Sequence, residues 1–243
     1  MNVLITEDDA LHRAFLKTTV ENALPECDQV LEAEDGEIAM QKVATNDVFG
    51  IIMDLQMPKA SGVDAAKEIW RRNPDMRILF WSNYADEAYV RGVSRIVPSG
   101  AVYGYLLKSA SEERLELAVR GVFLQDQCII DREVRGIQQR SEDTLEGLTD
   151  SEFEVLTDIA LGMTDKAIAR RRNISSRSVQ SRLKHLYEKL CIDASDTGFE
   201  FGPVFNSRTR AVATAFSRGL LNADGLAASQ ESLDEWLRGP TLR

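Results

Sequence analysis

Five side chains that could take part in metal or phosphoryl chemistry stand at the ends of short apolar runs in the first half of the chain. They are Glu7, Asp8, Asp54, Ser82 and Lys108. Asp54 is the most informative, because the run Val48–Met53 before it is nearly all apolar and Pro58 stops any continuation. Such a run predicts a strand buried on both faces, with Asp54 at its carboxyl end. In open α/β sheets, ligands and chemistry are found at that end of the strands.

The chemistry that this set allows follows from its charges. Crowded carboxylates repel one another, so they favour a hard divalent cation with oxygen ligands, and Mg²⁺ is the expected one. Such a site can accept a phosphoryl group on one carboxylate, because the cation and the lysine neutralise the phosphoryl oxygens. Ser82 could donate a hydrogen bond to the new group. The residue types therefore predict a phosphoaspartate site that depends on Mg²⁺.

These side chains meet only if the strands that carry them lie side by side. The predicted strands are Val3–Thr6, Gln29–Ala33, Val48–Met53, Arg77–Trp81 and Ala101–Leu107. Helical spacing is found over Ala10–Ala23, Gly36–Thr45, Val63–Arg72, Asp86–Ile96 and Ser111–Gln125. This alternation predicts an α/β fold with a doubly wound, five-stranded parallel sheet. The carboxyl ends of strands one, three, four and five then share one edge.

The first half resembles a bacterial response-regulator receiver domain, which has a flavodoxin-like fold. The resemblance is carried by Glu7-Asp8, Met53-Asp54-Leu55-Gln56-Met57-Pro58, Ser82 and Gly104-Tyr105-Leu106-Leu107-Lys108. It implies that Asp54 is the phosphoacceptor, and that Lys108 pairs with the phosphoryl group. It also implies that Asp8 binds Mg²⁺ directly, Glu7 through water and Gln56 through its backbone carbonyl. Ser82 and Tyr105 would be the switch residues. We further predict that Gln56 and Tyr84 flank the path of the hydrolytic water.

Composition excludes several classes of protein. No stretch approaches the roughly 18–20 apolar residues of a membrane span, and the acidic start of the chain is unlike a secretion signal. The three cysteines are scattered and lack metal spacing, which predicts reduced thiols in a cytoplasmic protein. The net charge of -10 argues against indiscriminate nucleic-acid binding. His12 is predicted on the surface of the first helix.

One segment reverses the charge of the chain. Between Gly162 and Leu190 only Asp165 and Glu188 oppose a set of basic residues: Lys166, Arg170, Arg171, Arg172, Arg177, Arg182, Lys184 and Lys189. A local basic face in an acidic protein indicates a confined anionic partner.

The same segment has the pattern of a helix-turn-helix. Thr149 and Glu152 form a capping box before one helix, which Gly162 ends. Thr164 caps a second helix over Asp165–Arg172, and Ser175 or Ser176 caps a third that runs to Leu190. Two helices joined by a tight turn, the second basic on its outer face, predict this DNA-binding motif.

The second half resembles the LuxR-type (NarL/FixJ) DNA-binding domain. The matching residues include Leu148-Thr149, Glu154-Val155-Leu156, Gly162, Ile168-Ala169, Ile174-Ser175, Ser178-Val179 and Lys189-Leu190. The resemblance implies that the third helix enters the major groove, with Gln180, Ser181 and Lys184 at base-reading positions and Arg182 beside them. Backbone phosphate contacts are expected from Lys166, Arg170, Arg177, Ser178 and His185. The alternative is that the arginines form a merely solvated helix face.

The chain is divided into a receiver domain at 1–125, a linker at 126–146, an all-α helix-turn-helix domain at 147–222 and a tail at 223–243. By resemblance, a fourth helix from about Asn206 carries the dimer contact. The loop Cys191–Phe205 before it holds three phenylalanines, which could pack on that helix or form an interaction surface. The apolar residues of the tail could cover the domain or bind a partner.

The expected protein is a DNA-binding response regulator. A sensor histidine kinase or a small phosphodonor phosphorylates Asp54, and a homodimer binds double-stranded promoter DNA, with RNA polymerase as a candidate further partner. It is not an enzyme beyond its own phosphoryl transfer and dephosphorylation. One alternative is a phosphorylation-independent transcription factor with a dimerising pseudo-receiver. Another is a phosphatase of the haloacid dehalogenase type, which would need an aspartate where Gln56 stands.

Overall fold

A computed structural model describes residues 1–83, 86–142, 147–192 and 205–239. The chain forms two compact units, Met1–Ala85 with Tyr89–Gly136, and Asp86–Ala88 with Ile137–Arg243. Tyr84 and most of the predicted Cys191–Phe205 loop lie outside the described residues, as do 143–146 of the predicted linker and 240–243 of the tail.

The N-terminal unit contains a parallel sheet, which confirms the predicted doubly wound fold. Its strands are β1 Asn2–Thr6, β2 Gln29–Ala33, β3 Val48–Met53, β4 Arg77–Ser82, β5 Tyr103–Leu107 and β6 Ile129–Ile130. Their order is β2-β1-β3-β4-β5-β6. Within the described residues the sheet therefore has six strands rather than the predicted five. β6 pairs with β5 and lies in the predicted linker, where two residues are too few to show periodicity.

Helices cover both faces of this sheet. They are α1 Ala10–Ala23, α2 Gly36–Thr45, α3 Gly62–Arg72, α4 Glu87–Ile96 and α5 Glu112–Leu124. Asp9, Asp35, Ser61 and Ser111 each cap a helix by accepting hydrogen bonds from backbone N–H groups of its first turn. The central strand β3 is fully buried at Ile51, Ile52 and Met53. The register of the sheet places the carboxyl ends of β1, β3 and β4 close to one another, because Met53 pairs with both Thr6 and Phe80.

The C-terminal unit is helical in the part of the chain that the structure describes. Helix α6, Arg132–Glu142, contains the boundary between the two units and fills most of the predicted linker. The further helices are α7 Asp150–Ala160, α8 Asp165–Arg171, α9 Ser176–Lys189, α10 Ser207–Ser217 and α11 Ala223–Arg238. The capping box of Thr149 and Glu152 is present, and Gly162 has the positive φ of 79° that ends α7. Ser175, rather than Ser176, caps α9.

Helix α11 resolves one of the alternatives left by the sequence. Leu233 is buried in the same core as Leu156 of α7 and Leu186 of α9, and Leu226 and Trp236 pack against that core. The tail segment therefore covers the helical domain. Its remaining apolar residue, Leu237, is exposed. No helix among the described residues has both the length and the apolar character to cross a bilayer.

Candidate functional site

Three carboxylates meet at the carboxyl edge of the parallel sheet. Carboxylate oxygens of Glu7, Asp8 and Asp54 all lie within 4.8 Å of one another. The backbone brings them together, because the N–H of Asp54 donates to the carbonyl of Thr6 at 2.9 Å and so fixes the end of β3 beside the end of β1. Glu7 and Asp54 are buried, whereas Asp8 faces solvent.

Lys108 reaches this cluster from the end of β5. Its Nζ lies 2.7 Å from Oε2 of Glu7 and 2.9 Å from Oδ2 of Asp54, and its side chain is 5% exposed. Its backbone N–H donates to the carbonyl of Ser82 at 2.8 Å, which ties it to the end of β4. The peptide bond between Lys108 and Ser109 is trans. The structure therefore brings together four of the predicted site residues.

The single positive charge of Lys108 does not fully offset the cost of burying the negative charges of Glu7 and Asp54. Burial raises the pKa of Asp54, and the ammonium of Lys108 offsets this only in part. Burial likewise raises the pKa of Glu7, despite its hydrogen bond from Lys108. Burial alone would lower the pKa of Lys108, but its two carboxylate partners outweigh burial and raise that pKa. Three carboxylates facing one ammonium form an oxygen-rich donor set that could hold a metal ion.

The remaining predicted residues of this edge are Gln56, Ser82 and Tyr105. Oδ1 of Asp54 accepts the backbone N–H of Leu55 at 2.7 Å and that of Gln56 at 3.4 Å, and the Gln56 side chain is exposed. Ser82 is fully buried at the end of β4. Tyr105 is also fully buried, with its ring 6.1 Å from that of Phe80.

Two residues of the first turn of α1 were missed as site residues. The prediction placed His12 on the helix surface, and its side chain is 43% exposed, yet Nδ1 lies 3.3 Å from Oε1 of Glu7. Nη1 of Arg13 donates to the backbone carbonyls of Glu7 and Asp8, at 2.7 and 2.9 Å. The signal was available, because a residue three to six positions after a strand-end carboxylate lies on the first turns of the following helix.

The outer face of α9 carries the residues predicted to read DNA. Those that are exposed are Arg177, Gln180, Ser181, Lys184 and His185, while Ser178 and Arg182 are partly buried. The opposite face packs into the core through Val179, Leu183 and Leu186. On α8, Lys166 and Arg170 are exposed.

Known protein families match both units. Residues 3–120 match the response regulator receiver domain, and residues 146–194 match the bacterial regulatory proteins of the luxR family. The transcriptional regulatory protein YdfI of Bacillus subtilis (strain 168) is 32% identical over 91% of this chain and 98% of its own length. The chain belongs to the LuxR-type response regulators. The oxygen regulatory protein NreC of Staphylococcus carnosus (strain TM300) is 33% identical over 78% of this chain and 91% of NreC.

Solved structures of a response regulator also match most of this chain. The structure of RcsB from Salmonella enterica serovar Typhimurium bound to promoter rprA matches with a TM-score of 0.58 and 22% identity. The match covers 88% of this chain and 97% of RcsB. At this identity the likeness shows a shared fold. The family matches confirm the prediction of a DNA-binding transcriptional regulator and are to regulators rather than to phosphatases.

Part of the basic segment of this response regulator is structural. Asp158 of α7 is completely buried, and Arg171 and Arg172 both bind it, with Nη1 of Arg171 2.9 Å from Oδ1 and Nε of Arg172 2.8 Å from Oδ2. Nη2 of Arg171 also donates to Oγ of Ser232 in α11, at 3.1 Å. Nζ of Lys189 binds Oε2 of Glu152, the capping-box carboxylate, at 2.9 Å. The alternative of a merely solvated face fails for Arg171 and Arg172, because they hold helices together.

Proposed function

We propose that this response regulator is phosphorylated on Asp54 in a reaction that depends on Mg²⁺, with a sensor histidine kinase or a small acyl phosphate as the donor. The observation that carries the proposal is the position of the Lys108 ammonium, within 2.9 Å of carboxylate oxygens from residues 54 and 101 positions away in the sequence. A lysine placed between crowded carboxylates suits a site that must gain further negative charge.

In the proposed reaction, a carboxylate oxygen of Asp54 attacks the phosphorus of the donor. The new P–O bond forms as the bond from phosphorus to the donor's imidazole nitrogen or carboxylate oxygen breaks. Lys108 neutralises the phosphoryl oxygens, and the Ser82 hydroxyl donates a hydrogen bond to them. Mg²⁺, held by Asp8, Asp54, the Gln56 carbonyl and, through water, Glu7, would supply the remaining positive charge.

Phosphorylation then acts as an electrostatic switch. It adds about -1.5 to -2 charges at a site that already has excess carboxylate. We propose that Ser82 and Tyr105, which lie in the neighbouring strands β4 and β5, respond to this charge. The response changes the dimerisation of the receiver or its grip on the DNA-binding domain. In this proposal the receiver spans 1–125, the linker 126–146 and the helix-turn-helix domain 147–222, and the protein acts in the cytoplasm.

For DNA, we propose that α9 enters the major groove of a promoter as part of a homodimer. Gln180, Ser181 and Lys184 would contact bases, with Arg182 beside them. The phosphate contacts would come from Lys166, Arg170, Arg177, Ser178 and His185. The exposure of most of this set supports the assignment, and so does the structure of RcsB bound to promoter rprA.

The phosphorylation is tested with acetyl phosphate, by intact-protein and peptide mass spectrometry. Wild type should gain one phosphoryl group on Asp54 when Mg²⁺ is present and none when EDTA replaces it. Asp54→Asn should gain none, and Asp64→Asn, an exposed aspartate of α3, is the matched control that should behave as wild type. Failure of wild type to form any adduct with Mg²⁺ would favour the phosphorylation-independent regulator instead.

The DNA assignment is tested by fluorescence anisotropy against a selected binding site and its point variants. Lys184→Ala should cost about 1–3 kcal/mol of discrimination at one base position. Arg177→Ala should weaken all sequences alike and lower the salt slope by about 1. Lys67→Ala makes the same charge change at an exposed position of α3 and should have no such effect. Unchanged discrimination in Lys184→Ala would reject α9 as the base-reading helix.

A further inference from the structure

The ammonium of Lys108 also meets a wall of aromatic rings from α1 and β4. Nζ lies 5.0 Å from the centroid of the Trp81 ring and 3.5 Å from Nδ1 of His12. The His12 ring meets the indole edge-on, with 5.4 Å between centroids, and Phe15 stacks on the same indole at 5.9 Å. We call His12, Phe15 and Trp81 the aromatic wall; His12 and Trp81 approach the ammonium, and Phe15 packs on the indole.

The order of the strands explains why Lys108 needs such a wall. Lys108 follows β5 and Asp54 follows β3, with β4 between them. Because neighbouring strands are about 4.8 Å apart, the lysine stem must cross the end of β4 to reach Asp54. Trp81 is the penultimate residue of β4 and is buried beneath Lys108. A lysine is a point charge on a flexible four-carbon stem, so its direction is set by what surrounds that stem.

We propose that His12 and Trp81 are positioning residues for phosphoryl transfer to Asp54, an inference that rests on the proposed function. The indole face attracts the ammonium. Nδ1 of His12 lies 3.3 Å from Oε1 of Glu7 and 3.5 Å from Nζ of Lys108. In one tautomer it donates to the carboxylate and in the other it accepts from the ammonium, so the imidazole borders the lysine in either tautomer. Together they hold Nζ at Asp54 before the phosphoryl oxygens arrive, which lowers the cost of organising the site during the reaction.

The wall contains its own control. Phe15 stacks on the indole, and the ring that the Lys108 ammonium meets is that of Trp81, so Phe15 contributes packing behind that ring. Leucine at position 81 would still fill space beside Leu79 and Leu106, which share its core, but it would present no ring face to a cation. Phenylalanine there would keep the face. His12→Asn keeps a polar group near the place of the imidazole Nδ1, and His12→Val removes it.

The first measurement is the rate of Asp54 phosphorylation by acetyl phosphate at saturating Mg²⁺, using the full chain. His12→Val and Trp81→Leu should each lower the maximal rate by about tenfold, within the range that small misplacements of reacting groups produce. His12→Asn and Trp81→Phe should recover part of the loss, and Phe15→Leu should stay within twofold of wild type. The acetyl phosphate concentration at half-maximal rate should change little.

The second measurement does not depend on turnover. Beryllium fluoride, a phosphoryl analogue, is titrated with Mg²⁺ present and followed by ¹⁹F NMR. Trp81→Leu and His12→Val should weaken its binding several-fold, because Lys108 is no longer held in place. Mg²⁺ binding alone, measured by calorimetry, should be unchanged in Trp81→Leu, since the indole acts on the ammonium over its ring and supplies no ligand to a cation.

The outcomes separate the inference from the function on which it rests. If wild type forms no phosphoaspartate, the proposed function is wrong and the inference falls with it. If wild type is phosphorylated and both His12→Val and Trp81→Leu keep rates within twofold, only the inference is wrong. An equal loss in Phe15→Leu, without recovery in the conservative variants, would mean that the wall is ordinary core packing and would also overturn it.

Discussion

Two buried charge clusters in this protein have opposite composition. In the N-terminal unit one cation, Lys108, lies between two carboxylates. In the C-terminal unit one carboxylate, Asp158, lies between two guanidinium groups. Both sets of contacts are 2.7–2.9 Å long, and in both the central group is buried. The clusters differ in how completely their charges are compensated.

We call the arginine cluster closed, because both oxygens of its carboxylate are paired, and the lysine cluster open, because its carboxylates are not fully compensated. Each oxygen of Asp158 accepts from a guanidinium, in three hydrogen bonds of 2.8–3.0 Å. Burial would lower the pKa of Arg172, but the bond to Asp158 outweighs burial and raises it. In the lysine cluster, by contrast, the pKa values of both Glu7 and Asp54 are raised. Charge compensation, rather than residue type, therefore separates the structural cluster from the one that suits a metal and a phosphoryl group.

The largest expected effect comes from removing the carboxylate of the closed cluster. Asp158→Ala leaves two partly buried guanidinium groups without their carboxylate, and breaking a buried pair in this way typically costs about 3–5 kcal/mol. Urea unfolding, followed by helical circular dichroism, should show the C-terminal unit unfolding at lower denaturant. Glu154→Ala is the matched control, because Glu154 meets Arg172 at 3.4 Å but is 41% exposed, and it should cost under about 1 kcal/mol. Equal stability of the two variants would contradict this reading.

The next effect tests the open cluster. Lys108→Met removes the ammonium between Glu7 and Asp54 and should destabilise the N-terminal unit by about 1–3 kcal/mol in EDTA. Saturating Mg²⁺ should restore most of this loss, because a bound cation replaces the missing charge. Thermal melts with and without Mg²⁺ measure both values.

A second lysine provides the control for that experiment. Lys59 pairs with Asp35, a carboxylate that is 2% exposed at the start of α2 and outside the acidic cluster. Mg²⁺ should therefore not restore stability to Lys59→Met beyond its effect on wild type. Equal rescue of both variants would show that the cation acts elsewhere.

A smaller effect of opposite sign is expected from Asp54→Asn. Because burial raises the pKa of Asp54 above its ordinary 3.8, its charged form costs stability as pH rises from 3.8 through the folded pKa. The neutral amide should therefore stabilise the N-terminal unit at pH 7 by on the order of 1 kcal/mol. Melts in EDTA across pH 4–7 should show a gain that grows with pH. If Asp54→Asn changed stability by the same amount at every pH, or lowered it, the site would have no excess of negative charge.

The acidic edge of the sheet can be predicted from the sequence, because its residues directly follow predicted strands. Asp54 ends an apolar strand, and the alternation of elements brings Glu7 and Lys108 to the same edge. The proximity of His12 to Glu7 follows from its place on the first turn of α1. The proposed role of Trp81 could not be predicted, because it depends on the side-chain path of Lys108 over β4, which no periodicity encodes. Arg171 and Arg172 were counted in the basic segment that indicated an anionic partner, because their carboxylate, Asp158, is on another helix. Likewise, β6 is too short to leave a pattern.

The smallest effect concerns charge that is not buried. Lys184 and Glu188 lie 3.9 Å apart on α9 with side chains 77% and 60% exposed. Such pairs contribute about 0.2–1 kcal/mol at most, so Glu188→Gln should leave the melting of the C-terminal unit almost unchanged. Its effect should appear in DNA affinity, which should rise a few-fold at low salt and lose the gain at high salt, because a negative charge near the phosphates is removed. A stability loss as large as that of Asp158→Ala would erase the distinction between buried charge that holds helices together and exposed charge that meets a partner.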